Sequence, residues 1–492
     1  MIKSVYFLLA ITITVTSCVP VKPYKPESKI GRKEMEEDFD LMRKILEAKH
    51  PSLYWYTPKD SMDHHFAFYR KRIQDSMTEP AFTWQVLAPL ADKIRCGHTS
   101  LKSSKPFTTW ASKRKFNSFP LHLKIWKDSV VVSGNLQKKD SLIKKGSLIK
   151  SINGIESKVI MDSIFNHMPE DGYAMNFSHI RVSSNFSYFH RNIFGLSDHY
   201  KIEYVDSTGE LKTAEIPMLR LDDTTGISKP LKPMKAPKMK RKDKLDRIRN
   251  LTIDSTGRFA IMNVNSFQKA AIKPFFRKSF RSLRKEKVNN LIIDLRANGG
   301  GRVSNSTDLI RYLVKNRFRV ADSVYAIARN LSPYTKHIKG KWLNNLAMWS
   351  MASRKRDGKY HVSIMERKKI KPHGRNNYKG DVYLLINGPT FSAASLVCNA
   401  VKGQSGILLI GEETGGGWHG NNGIIIPDIK LPHTGIRLRL PLFRVVQYNH
   451  VTRNGMGIPP DIYVGPDPEV IKTGKDKKME FVKKLILEKQ GR

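Results

Sequence analysis

"GPTFSAASLVCNAVKGQSGILLIGEETGGG", residues 388–417, decides the fold of the C-terminal half. An apolar run, "DVYLLING" (381–388), leads into it, and a second, "GILLIGEE" (406–413), leads out. Unbroken apolar runs of this length are strands buried on both faces, and the small-residue helix between them makes the unit βαβ. Ser392 falls at the start of that helix, with a glycine run ending 25 residues later at Gly417. Two readings follow. Ser392 is a helix N-cap, or it is a nucleophile placed where free amides and the helix dipole stabilise an oxyanion.

The same alternation extends upstream. "GRFAIMNVNSF" (257–267) reads as strand and "AIKPFFRKSFRSLRKE" (271–286) as helix. "VNNLIIDLRANGGG" (288–301) is a buried strand running into glycines, followed by the helix "SNSTDLIRYLVK" (304–315). Residues 251–470 are therefore expected to form an α/β core, with 471–492 as a basic C-terminal tail.

The N-terminal part reads differently. "MEEDFDLMRKILEAKHPSLYWY" spaces Phe39, Met42, Ile45 and Leu46 helically, with His50-Pro51 as the stop. With "FAFYRKRIQ" and "FTWQVLAPLADKI" it predicts a helical domain over 31–105, closing at "CGHTSL". Short strands and turns then occupy 106–228, where Gly146 to Gly154 reads as strand–turn–strand with Asn153-Gly154 at the turn. That pattern fits a PDZ-like β module, and it equally fits any Asn-Gly hairpin. Residues 229–250 form a basic linker or loop; 229–249 hold ten Lys/Arg, two Asp and Pro230, Pro233 and Pro237.

A chain of 492 residues with 40% hydrophobic content divides into several well-packed domains, so the expected class is multidomain α+β. Its 86 Lys+Arg against 44 Asp+Glu give a net charge of +42, which attracts polyanions. The start, "MIKSVYFLLAITITVTSC", carries a basic residue, an apolar stretch and a small-residue end. It reads as a signal peptide over 1–17, with a tether over 18–30. Val15 to Cys18 resembles a bacterial lipobox, which would make Cys18 the lipidated first residue and anchor an exported envelope protein to membrane. Export excludes nucleic acid as the expected partner and turns the positive charge toward membrane or envelope polyanions. Cys96 and Cys398 leave a single disulfide or two buried thiols open. No metal-type cysteine spacing occurs, and no cofactor is expected.

Three stretches carry chemistry together. "LIIDLRANGGG" brings glycine amides close to a ligand, "INGPTFSAAS" offers a hydroxyl at a helix start, and "CGHTSL" offers a histidine. Hydroxyl, base and amide donors are what acyl transfer requires. With "GEETGGG" and "GMGIPPDI" added, their order is similar to that of the C-terminal processing (tail-specific) and tricorn-core serine peptidases, across nearly the whole chain after the leader. The resemblance implies a crotonase-like core and a serine endopeptidase acting on polypeptides, with Ser392 as nucleophile and Ala393 and Gly300 as oxyanion donors. The processing branch uses a lysine base, and Gly417 stands at that position here. The chain therefore looks like the tricorn-type branch, which implies His98 as the base. Asn454 aligns where that branch has an orienting glutamate; Thr99 or Ser100 is an accessory candidate to hold the imidazole, and His419 is a reserve base. Activity is then expected to rise through an ionisation near the ordinary histidine value of about 6.5. The competing reading is a catalytically inactive peptidase-fold protein that binds peptides or apolar ligands.

Overall fold

The computed structural model describes residues 24–127, 129–137, 142–220, 239–268 and 271–490. Cys18, the leader and residues 221–238, which include the first part of the expected linker, lie outside the described residues. The fold is a mixed α/β multidomain architecture.

The stretch from Arg249 to Tyr463 builds a six-stranded sheet. Its strands lie in the order Arg249–Ile253, Ala260–Val264, Asn290–Asp294, Asp381–Ile386, Ile407–Gly411 and Ile462–Tyr463. The first pair is antiparallel and every later pair is parallel, as the unbroken apolar runs require. Helices Ile272–Lys285, Val303–Leu313 and Ala393–Val401 cover one face, burying Phe276, Phe280, Leu309, Ile310 and Val397.

The opposite face corrects the tail expected over 471–492. Lys477–Gln490 is a helix whose Val482 and Ile486 pack on Ile292, Tyr383, Leu385 and Ile410. The spacing of Val482 and Ile486, one helical turn apart, outweighs the basic composition.

The N-terminal helices do not close a core of their own. Helices Arg32–Lys49 and Lys59–Lys71 bury Phe39, Met42, Met62 and Phe66 in one cluster with Val324, Leu331, Leu438 and Phe443. Of those partners, Val324 and Phe443 belong to a second sheet, ordered Ser353–Arg354, Tyr360–His361, Ala321–Ala326, Phe443–Gln447 and Gly420–Gly423. A third sheet ties the segment after His98 to the C-terminal half: Ser100–Lys102 pairs antiparallel with Arg437–Arg439, which pairs with Asp428–Lys430. Through that pairing a histidine near position 100 reaches a serine near 400.

Residues 121–217 form a separate antiparallel sheet with its own core around Phe119, Val132, Ile202 and Tyr200. The expected turn is present. Asn153 and Gly154 hold φ of 51° and 77° between strands Leu148–Ile152 and Ile155–Glu156, the left-handed pair that an Asn-Gly hairpin turn requires.

Candidate active site

Ser392 occupies the N-cap position of helix Ala393–Val401, yet its side chain caps no amide. Its backbone sits at φ 54°, ψ −119°, a strained conformation for a residue with a Cβ. Such strain at a strand-to-helix turn lifts a hydroxyl out of the surface, so the N-cap reading holds for the backbone alone. Ala393 is the first helical residue, so its amide has no intrahelical acceptor. Ser395, one turn on, is fully buried, and its hydroxyl points back to the Thr390 carbonyl at 3.4 Å.

Ser392 and His98 both line a cavity of about 600 Å3, together with Gly97, Ser100, Gly299, Gly301, Phe391, Ala393 and Asn421. The His98 ring lies 4.9 Å from that of Phe391, the residue before the serine. Nδ1 of His98 is buried and has no hydrogen-bond partner among the described residues. Burial, reinforced by Arg439 and Arg444, pushes the imidazole down to about 3. The sequence-based expectation of an ordinary histidine ionisation is corrected by that environment. The ring is neutral throughout the neutral range, and no lysine lines the cavity.

Gly300 is placed differently from its expected role. Its amide donates to Asn298 Oδ1 at 2.9 Å, while Gly299 and Gly301 on either side line the cavity. Close approach explains the glycine. A Cβ on Gly300 would stand 2.8 Å from both the Phe391 carbonyl oxygen and Ser392 Cβ, and φ is 95°. It holds the glycine turn against the serine turn.

The accessory candidates separate. Thr99 is fully buried and its hydroxyl meets His50 Nε2 at 2.9 Å, so it serves a neighbouring histidine. Asn454 is exposed, accepts the Met456 amide at 2.9 Å and is absent from the cavity wall. The His419 ring lies tilted, 5.8 Å from that of Trp55, also outside that wall. Cys96 and Cys398 are buried free thiols in different cores.

Four residues were not foreseen. Asp171 is buried and accepts the Gly97 amide at 2.9 Å, which fixes the segment carrying His98. Burial raises its carboxyl to about 6, opposed by Arg444 and by the Gly97 and Gly417 amides. Arg444 is itself buried, with its guanidinium 4.4 Å over the Trp55 ring. Arg439 and Arg302 line the cavity; neither is ion-paired among the described residues, and no carboxylate joins them in its wall. Asp428, opposite Arg439 in the strand register, gives its carboxylate to Lys102 and lies 4.0 Å from Arg437. An Asp-Gly pair at 171–172 was the one local signal available for Asp171.

Residues 258–464, which contain the six-stranded sheet from its second strand on, the glycine turn and Ser392, match the model of peptidase family S41. The chain carries a peptidase family S41 domain. This S41 chain is by class a serine peptidase, a hydrolase of a family with C-terminal processing members. Among solved structures it is similar to mature CPAF complexed with lactacystin, at 14% identity and a TM-score of 0.63. That match covers 92% of this chain and 98% of the other. Mature CPAF alone gives 14% identity and 0.61, covering 92% and 96%. The photosystem II D1 C-terminal processing protease gives 15% and 0.37, covering 89% of this chain and 94% of the other, too loose a likeness to carry an argument. At such identities the likeness to CPAF is one of fold. No curated protein matches the chain.

Proposed function

We propose that this S41 chain is an endopeptidase that cleaves polypeptides near their C-termini through an acyl-enzyme on Ser392. His98 takes the hydroxyl proton as Ser392 Oγ attacks the scissile carbonyl. The Ala393 amide and one of the glycines flanking Gly300 hold the oxyanion. His98 passes the proton to the leaving amine, then takes one from the water that splits the ester and releases the new carboxylic acid. The observation that carries this reading is an uncapped serine on a strained turn, opening into the one cavity wall it shares with His98. A fluorophosphonate probe tests it: the wild type labels at Ser392, whereas peptide binding without labelling establishes the inactive alternative.

The antiparallel unit over 121–217 is, in this proposal, the PDZ-like module, offering strand addition to an extended chain end. The cavity itself favours acidic substrates, because Arg302 and Arg439 are the charged side chains of its wall and the imidazole beside them is neutral. Replacing Arg439 by Glu (Arg439→Glu) is expected to lower kcat/KM on Asp- or Glu-bearing peptides by about tenfold. The same change removes a charge that depresses His98, so the acid limb of the pH profile moves upward. Unchanged selectivity across a peptide set with Asp, Asn and Lys at each position removes this specificity.

We also propose that Cys18 carries the lipid that tethers the enzyme to the envelope. Cys18→Ser then transfers the protein from the membrane to the soluble fraction. Intact-mass measurement of the native protein reads the acyl chains directly, and their absence rejects the anchor.

A further inference from the structure

Helix Lys341–Met351, "KWLNNLAMWSM", is built the wrong way round for a soluble surface. Trp342 is 71% exposed, Leu343 64%, Leu346 47% and Trp349 61%, while Met348 is its one buried residue. At about 3.6 residues per turn, Trp342, Leu346 and Trp349 fall within ~60° of each other, with Leu343 at the border and Met348 on the opposite side. Contiguous exposed apolar surface of this kind marks an interaction site.

The charges around the face select the partner. No Asp or Glu occurs between Asp322 and Asp357, and the interval holds Arg329, Lys336, Lys339, Lys341, Arg354, Lys355 and Arg356. Lys355 is tied to Glu366 and Arg329 stacks on Trp349 at 5.3 Å. Lys336, Lys339, Lys341, Arg354 and Arg356 are exposed and in no ion pair among the described residues. Two tryptophans and two leucines on a helix flanked in sequence by exposed, unpaired cations complement the interface of a bilayer that carries anionic headgroups. A protein partner with an acidic rim is the weaker fit, because protein interfaces bury aromatic anchors in a preformed pocket and this face is convex helix. Among the described residues no helix is long and apolar enough to cross a membrane, so contact is lateral.

We infer that the face of Trp342, Leu343, Leu346 and Trp349 docks the protein onto an anionic membrane surface, independently of any lipid on Cys18 and of the peptidase reading. The two tryptophans sink to headgroup level and the surrounding lysines and arginines meet lipid phosphates.

The test uses the full chain carrying Cys18→Ser, so that no acyl group can attach, mixed with vesicles of phosphatidylglycerol and phosphatidylcholine or of phosphatidylcholine alone. Tryptophan fluorescence quenching by brominated lipid is the readout, since it reports insertion of this face rather than of the leader. Quenching is expected on anionic vesicles, weakening with salt as surface charge is screened. Trp342→Glu with Leu346→Glu is expected to lower the vesicle-bound fraction by about tenfold or more. Leu343→Glu with Lys339→Glu leaves both tryptophans in place and is expected to weaken binding while preserving the fluorescence signal. Both pairs of changes lie on exposed positions and leave fluorophosphonate labelling of Ser392 unchanged, which checks the fold. Equal, salt-insensitive binding in wild type and variants overturns the inference, as does a dimer abolished by the same substitutions without lipid quenching. A raised KM for soluble polypeptide in the variants, again without quenching, assigns the face to substrate and overturns it too.

Discussion

Ser392→Ala is expected to abolish hydrolysis of an unstructured polypeptide, lowering kcat on the order of a thousandfold or more, while the fold persists. The chemical loss is large because no acyl-enzyme forms without the hydroxyl. The structural loss is small for a reason visible in the backbone. A helix-start serine that caps an amide costs about 1 kcal/mol when replaced by alanine, and Ser392 caps none. The strain at φ 54° is shared by serine and alanine, so it does not distinguish the variants. Ser395→Ala is the control. Its hydroxyl is buried against the Thr390 carbonyl, and it is expected to lose some stability and keep its activity. Activity surviving in Ser392→Ala and lost in Ser395→Ala would reverse the assignment. Circular dichroism on each variant separates a dead site from a lost fold.

What could be read from the sequence follows from how local the causes are. The strands Asp381–Ile386 and Ile407–Gly411 are unbroken apolar runs, and the turn between them must hold small residues, so the strand–serine–helix unit was legible residue by residue. The Asn153-Gly154 hairpin was legible for the same reason. The N-terminal helices were legible as helices but not as part of a shared core, because Phe39 and Leu438 are joined by contacts across most of the chain. The site divides along the same line. Ser392 and His98 lie in stretches with recognisable order, and both reach the cavity. Asp171, His50 and Arg444 are polar residues whose burial depends on distant partners, and no local pattern announces that. Gly300 shows the limit within a motif: the glycines are where expected, but the Asn298 side chain takes the middle amide.

His98→Ala is expected to lower kcat/KM by a factor on the order of 100 or more, the usual loss for a general base. Rate alone does not separate a base from a ring that merely packs on Phe391, so the pH profile carries the distinction. An ordinary histidine gives an inflection near 6.5. Here burial and two arginines hold the imidazole down at about 3, so wild-type activity is expected to stay flat from neutral pH well into the acid range. The neutral ring accepts the Ser392 proton at every pH of that range. The imidazolium it becomes is costly in the same surroundings, and the developing oxyanion beside it offsets that cost. Acid unfolding has to be kept apart from loss of the base. His98, His50 and His190 are all depressed in the native state, the last to about 4, so below about 6.5 the unfolded chain binds protons the native chain refuses. Stability from these groups therefore falls as pH drops through that value. Glu170 and Asp171, raised to about 8 and about 6, act in the opposite sense, holding protons in the native state that the unfolded chain releases. Short assays with the folded fraction measured at each pH resolve the two effects. An inflection near 6.5 in fully folded protein contradicts the buried, neutral base, and wild-type rates in His98→Ala end its role altogether.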